Sequence, residues 1–355
     1  MKKGILLASA FASGLYADAL DEKRIKVDGF LDVFYVYDFN RPDMPSNRRQ
    51  DFLFNHNRYN EFNVNLALVR FTLEEERYRG RVALQAGTYA DDNYADEEES
   101  LKHINEASVG VALDADKELW LDGGIFASHI GFESAISADN PTLTRSLVAE
   151  NTPYFLTGAK LTYRPSEAWS FLAVAANGWQ RIERVAENSR PALGTQIVYT
   201  PSENLLVNYS TFVSYDEKDS QNREKQRILN NFYAVMGLTP SLELTAGLDI
   251  GFEEKERGGS YDHWVVPTLI ARYQIDETYS TAFRAEYFFD PDSIIIATSD
   301  SLGFETLGLS SNLDYAVGKE MFIRFEARYL RASESVLSEA NKESFFLSSS
   351  LALKF

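Results

Sequence analysis

Three observations predict an all-β fold for this chain. Apolar residues alternate along about sixteen segments, the connections between them switch between tight turns and long polar loops, and the last segment ends in Phe. Together they point to a transmembrane antiparallel β-barrel of about 16 strands, with short periplasmic turns and longer external loops. Segments 60–75 and 227–239 are weakly patterned, which leaves 14–18 strands open.

Composition narrows the class further. The chain has 355 residues, 53 of them acidic against 35 Lys plus Arg, for a net charge of -18. Nucleic acid is an improbable partner for such a surface, because its phosphates would be repelled. The absence of Cys excludes a disulfide scaffold, a thiolate zinc site and a thiol nucleophile. No apolar run is long enough for a membrane-crossing helix.

Residues 1–19 have the layout of a signal peptide. Lys2 and Lys3 form a basic head, Gly4 to Tyr16 are apolar and small, and cleavage is expected after Ala17 or Ala19. Residues 20–355 are then expected to form a single barrel domain, with the bacterial outer membrane as the expected destination.

The strands are expected at about 26–40, 60–75, 79–90, 104–114, 118–129, 154–164, 168–178, 191–200, 204–215, 227–239, 241–252, 264–275, 277–288, 302–315, 319–331 and 344–355. In the eleventh, Leu242, Leu244, Ala246, Leu248 and Ile250 share one face, while Glu243, Thr245, Gly247 and Asp249 share the other. Strand side chains point alternately to opposite faces, so one face meets lipid and the other water. In 60–75 the phase slips near Leu68 and Val69, which predicts a bulge. Turn formers such as Pro165, Pro201, Pro240, Asp276 and Gly318 follow the even-numbered strands, and long polar loops follow the odd ones. Tyr37, Phe39, Tyr163, Trp169, Tyr199, Tyr215, Tyr273, Tyr279 and Tyr287 fall near strand ends, as interfacial girdles do.

Phe355 closes an alternating strand and resembles the C-terminal signal that barrel-assembly machinery reads. The opening Val27-Asp28-Gly29-Phe30-Leu31-Asp32-Val33-Phe34-Tyr35 resembles the first strand of the OmpL-like β-barrel porin family. The run from Arg145-Ser146-Leu147 through Pro153-Tyr154-Phe155-Leu156-Thr157-Gly158 to Tyr163 is similar to the same family. The likeness spans the mature chain and implies an outer-membrane porin-like barrel. It names no solute.

A barrel of this size is wide enough for water, whereas eight strands would fill with side chains. Parity places Arg272, Arg284, Arg324, Arg328 and Lys160 inward, with the acids Asp32, Asp249, Glu286 and Glu326. Loop 130–153 is the longest connection and the third external one, and it carries Glu133, Asp139, Arg145 and Glu150. Resemblance to porins of this layout implies that the loop folds inward as a constriction. A basic ladder facing an acidic loop would set a field across a narrow aqueous gap. A competing role for Arg284–Glu286 and Arg324–Glu326–Arg328 is ion pairing that stiffens the wall.

The external loops are acidic, with Asp91, Asp92, Asp96, Glu97, Glu98 and Glu99 in the second and Glu253, Glu254 and Glu256 in the sixth. They are read as solvated loops, or as charges that draw cations to the mouth or bridge divalent ions to lipopolysaccharide. The Asp91-Asp92-Asn93 run lacks the Gly and closing Glu of a calcium loop, so no metal site is expected. His56, His103, His129 and His263 show no zinc spacing and are expected to be exposed or interfacial. No Ser-centred elbow occurs either, and neither catalysis nor a cofactor is expected.

The expected function is passive diffusion of small hydrophilic solutes, with a mild cation preference. The partners expected are outer-membrane lipid, lipopolysaccharide and the assembly machinery, with either a homotrimer or a monomer. The alternative is a non-catalytic barrel serving adhesion or envelope scaffolding; loops of modest length favour the channel.

Overall fold

A computed structural model of the protein describes residues 25–42, 47–298, 302–337 and 341–355. The expected signal peptide lies outside the described residues. Strands β1 (Ile25–Asp38), β2 (Phe62–Glu74), β3 (Tyr78–Ala86), β4 (Ile104–Ala112), β5 (Leu119–Ala127), β6 (Phe155–Ser166), β7 (Trp169–Ala176) and β8 (Ala192–Ser202) form one half of the chain. The other half comprises β9 (Leu205–Ser214), β10 (Arg227–Thr239), β11 (Leu242–Glu254), β12 (Tyr261–Gln274), β13 (Tyr279–Asp290), β14 (Phe304–Val317), β15 (Met321–Ala332) and β16 (Glu343–Lys354). Each strand pairs antiparallel with its sequence neighbours, and β1 closes on β16. Closure leaves no sheet edge, so every strand can satisfy its backbone without water.

The long connections after odd-numbered strands are L1 (39–61), L2 (87–103), L3 (128–154), L4 (177–191), L5 (215–226), L6 (255–260), L7 (291–303) and L8 (333–342). L6 is shorter than its sequence suggests, because β11 and β12 continue past the expected ends as a hairpin. L2 contains a short helix, α1 (Thr88–Asn93), and L3 contains another, α2 (Leu147–Glu150).

Two local deviations have physical causes. The bulge sits earlier than the expected Leu68–Val69: Asp32 pairs with Leu66 and Val33 with Val64, leaving Asn65 as the extra residue. Asn65 is buried, and its side-chain oxygen accepts the His56 amide at 2.9 Å, so the bulge anchors L1. Strand β10 alternates poorly because it carries an Asn on each face. Asn231 points inward to Asp249, while Asn230 takes the Tyr209 hydroxyl on the outer side.

The outer face is an apolar belt, with Val69, Phe71, Phe283, Leu309, Leu313 and Phe325 exposed. Its aromatic rim includes Trp169, stacked on Tyr199 at 4.3 Å between centroids, and Tyr279 against Tyr315 at 5.2 Å. Phe39, Tyr163, Tyr273 and Tyr287 are exposed on the same surface. At the seam, Gly29 and Phe355 exchange backbone hydrogen bonds of 2.8 and 3.1 Å. The Phe355 ring lies over Gly29, where any Cβ would strike it.

The interior is far less open than alternation alone suggests. L1 and L3 deliver Phe52, Leu53, Leu147 and Val148 onto the inward Phe34, Val36, Trp264, Phe288, Phe304 and Phe346. A second cluster joins Tyr89 and Tyr94 of L2 and Ile182 of L4 to Phe30, Leu66, Leu68 and Phe155. Most of these positions lie toward the loop-bearing ends of their strands, so the external part of the lumen holds a packed apolar core.

Candidate functional site in the barrel lumen

L3 crosses the lumen from β5 to the opposite wall. Gly131 donates to Asn231 at 3.1 Å, and Phe132 packs against Tyr233. The turn at Ser137–Asp139 then reaches β1 and β16: the Ser137 hydroxyl donates to Asp32 at 2.7 Å, and Asp139 pairs with Lys354 at 2.5 Å. The loop returns along β13, β14 and β15. Leu143 donates to Asn312 at 3.0 Å, Thr144 to Glu326 at 2.6 Å and Leu147 to Glu286 at 2.5 Å. Ser146 caps α2 by accepting from Ala149 at 3.2 Å, while the first helical N–H, that of Leu147, is left to the wall acid Glu286.

The expected basic ladder meets this loop directly. Arg284 donates to the carbonyl of Thr144 at 2.6 Å, Arg328 to that of Arg145 at 2.9 Å and Arg324 to that of Asn140 at 3.0 Å. Wall acids complete the network: Arg284 lies 3.0 Å from Glu326 and 3.3 Å from Glu286, Arg328 2.6 Å from Glu286, and Arg324 2.7 Å from Asp314. Arg284, Arg324 and Arg328 are at most 2% exposed. The open gap expected between ladder and loop is therefore occupied by their mutual contacts. Burying charges at this depth is tolerable only because each is paired and hydrogen-bonded.

The remaining sequence-derived residues separate by depth. Asp32 is buried between His56, at 2.8 Å, and Ser137. Asp249 is buried against Asn231 at 2.5 Å. Glu133, Arg145 and Glu150 are interior loop residues: Arg145 pairs with Glu150 at 3.0 Å and lies 3.2 Å from the centroid of the Tyr154 ring. Burial holds the Glu133 carboxyl above its usual range, against the pull of Arg284 and Ser146. Arg272 is exposed and lines a cavity with Glu203 and Glu243 near the periplasmic turns.

Several expectations about the loops need correction. His56 and His129 are buried, because L1 and L3 turn inward, whereas His103 and His263 are exposed as expected. Asp92 is not a solvated mouth charge, since Arg58 grips it at 2.6 and 3.1 Å. Glu97 accepts backbone donors of L4, and Glu253 is held by Lys225 and Arg227. Asp91, Asp96, Glu98, Glu99 and Glu256 do remain exposed.

Sequence reasoning passed over Arg79 and Arg81 on β3, although they share the inward parity of Ala83 and Gln85. With Glu106, Asp122, Lys160 and Arg164 they line a cavity of about 230 Å³ along the β2–β8 wall. A smaller space of about 110 Å³ adjoins it, sharing Glu106 and Ala127 and bounded by Tyr89, Tyr154 and the L3 residues Glu133–Ile136. Polar space thus follows the wall that L3 leaves uncovered.

A family profile described as "Putative beta-barrel porin-2, OmpL-like" matches residues 24–355. Among solved structures, the chain is similar to the outer membrane channel DcaP of Acinetobacter baumannii, with a TM-score of 0.64 at 9% identity, covering 93% of this chain and 97% of that one. It is also similar to an anion-selective porin from Comamonas acidovorans, with a TM-score of 0.61 at 8% identity, covering 93% and 99%. OmpT of Vibrio cholerae matches with a TM-score of 0.61 at 8% identity, covering 93% and 97%. At these identities the likeness is one of fold. No curated protein sequence matches the chain.

Proposed function

The chain belongs to the OmpL-like β-barrel porin family, and from that premise we propose that it is an outer-membrane channel for passive diffusion of small hydrophilic solutes. The observation that carries this reading is L3 held inside a closed sixteen-strand barrel, with polar cavities left along the β2–β8 wall. A barrel of this size has room for both a loop and water. Charged and hydroxyl side chains along the remaining space support passage of hydrated solutes in preference to apolar ones.

The exposed acids of L2 and the tip of L6 support a mild enrichment of cations at the outer mouth. Residues 1–19 are proposed as a leader removed on export. Phe355 is proposed as the signal for assembly, consistent with its place at the closing seam. The apolar belt and aromatic rim suit outer-membrane lipid, and a homotrimer is proposed from the porin-like architecture. Purified protein in planar bilayers should give stepwise, ohmic conductance. Insertion without conductance would overturn the channel and favour an envelope-scaffold role.

A further inference from the structure

The 230 Å³ cavity has an unequal charge account. Asp122 is taken by Arg79 through two bonds of 2.6 and 2.5 Å, and Glu106 lies 3.4 Å from Arg81 and 3.7 Å from Arg70. The third carboxylate, Glu74, is exposed at the end of β2. Two cations of the same cavity are less committed, although Lys160 sits directly across the strand pair from Asp122 and is attracted by it and by Glu106. The Lys160 ammonium lies 4.4 Å from the centroid of the Phe126 ring, and Arg164 is exposed farther along the same inward face of β6. Among the described residues, neither side chain forms an ion pair with a carboxylate.

We propose that Lys160 and Arg164 form a track for small oxyanions of the phosphate type, running beside L3. Four residues along a strand separate their Cα atoms by about 13 Å, within reach of two long side chains that hand an anion from one to the other. The hydroxyls of Thr162 and Ser170 line the same space and supply further donors. An ammonium, a guanidinium and hydroxyls suit an anion with several acceptor oxygens better than chloride. Carboxylates already paired to Arg79 and Arg81 repel such an anion less than free ones would. The inference deepens the channel reading and rests on it for transport, and it places selection inside the barrel, opposite in sign to the acidic mouth.

The test is block of chloride current by inorganic phosphate at pH 7 and fixed ionic strength in planar bilayers. Wild-type channels should show saturable block. The double variant Lys160→Gln/Arg164→Gln should raise the half-blocking concentration about tenfold, the loss expected for charge-assisted bonds. Lys117→Gln/Lys319→Gln removes the same charge from periplasmic turns and should leave the block unchanged. Equal block in both double variants, or none in conducting wild-type channels, would overturn the track. If the protein does not conduct at all, the channel reading fails separately. Calorimetric titration of phosphate into the detergent-solubilised barrel then decides the subsite: binding lost in Lys160→Gln/Arg164→Gln sustains it, and no wild-type binding refutes it.

Discussion

Arg284 of β13 donates to the backbone carbonyl of Thr144 at 2.6 Å, fastening the third loop to the far wall of the barrel. The same guanidinium faces Glu326, Glu286 and Glu133, so one side chain neutralises acids of two wall strands and of the loop.

Removing it should therefore free the loop. Arg284→Ala leaves three buried carboxylates short of a counter-charge, a loss of about 3–5 kcal/mol when one member of a buried pair is deleted. The expected result is a lower unfolding temperature and a larger, noisier single-channel conductance. Unchanged values for both would show that L3 is seated by its apolar contacts alone.

Acid should tighten the same loop. Burial raises the Glu133 carboxyl against the pull of Arg284 and Ser146, so the seated loop binds a proton more readily than the free loop does. This contribution to seating is fully present below the ordinary carboxylate range and is lost as pH rises through the raised value. Conductance is expected to fall as pH drops from neutral into that range, and Glu133→Gln should flatten the profile. A conductance that instead rises in wild type on acidification would contradict this assignment.

Selectivity should depend on salt. The mouth acids are exposed and are screened over about 10 Å at 0.1 M and about 3 Å at 1 M, whereas Lys160 is half-buried and screened less. Zero-current potentials are expected to favour cations mildly in dilute gradients and to move toward anions in concentrated ones. A preference constant across this range would remove the division between mouth and track.

The seam offers a test of assembly. Gly29→Val places a side chain where the Phe355 ring lies, and should lower the fraction of folded barrel seen as a heat-modifiable band. Gly29→Val/Phe355→Ala should recover folding in vitro, where crowding is the obstacle. It should stay poor in cells if Phe355 is also read by the assembly machinery. Recovery in both settings would leave Phe355 a packing residue only.

The barrel was legible because lipid and water impose period two on every strand, and because turn formers mark one end. The two weak segments became strands all the same. One carries the Asn65 bulge and the other an Asn on each face and a register break at Leu238, and both disturb the pattern locally while the strands stay paired on either side. The lumen was legible only in part. Parity placed Arg284, Arg324 and Arg328 inward, but depth of burial depends on a loop whose path is fixed by contacts far apart in sequence. Phe52, Leu53, Leu147 and Val148 look like stray apolar residues in polar loops until Phe34, Trp264 and Phe346 are brought opposite them. His56 and Asp92 depart from the exposed positions their loops suggest for the same reason: each is buried by a partner from another element.

The apolar cluster beneath L1 and L3 implies that two different solvents hold this molecule together. The wall is confined by hydrocarbon, where expelling water contributes little further, while the plug is held by the ordinary hydrophobic effect acting inside a cylinder. Urea weakens the second more directly than the first. The plug should therefore melt as its own cooperative unit inside an intact barrel, at a lower denaturant concentration, giving a vessel that outlasts its contents.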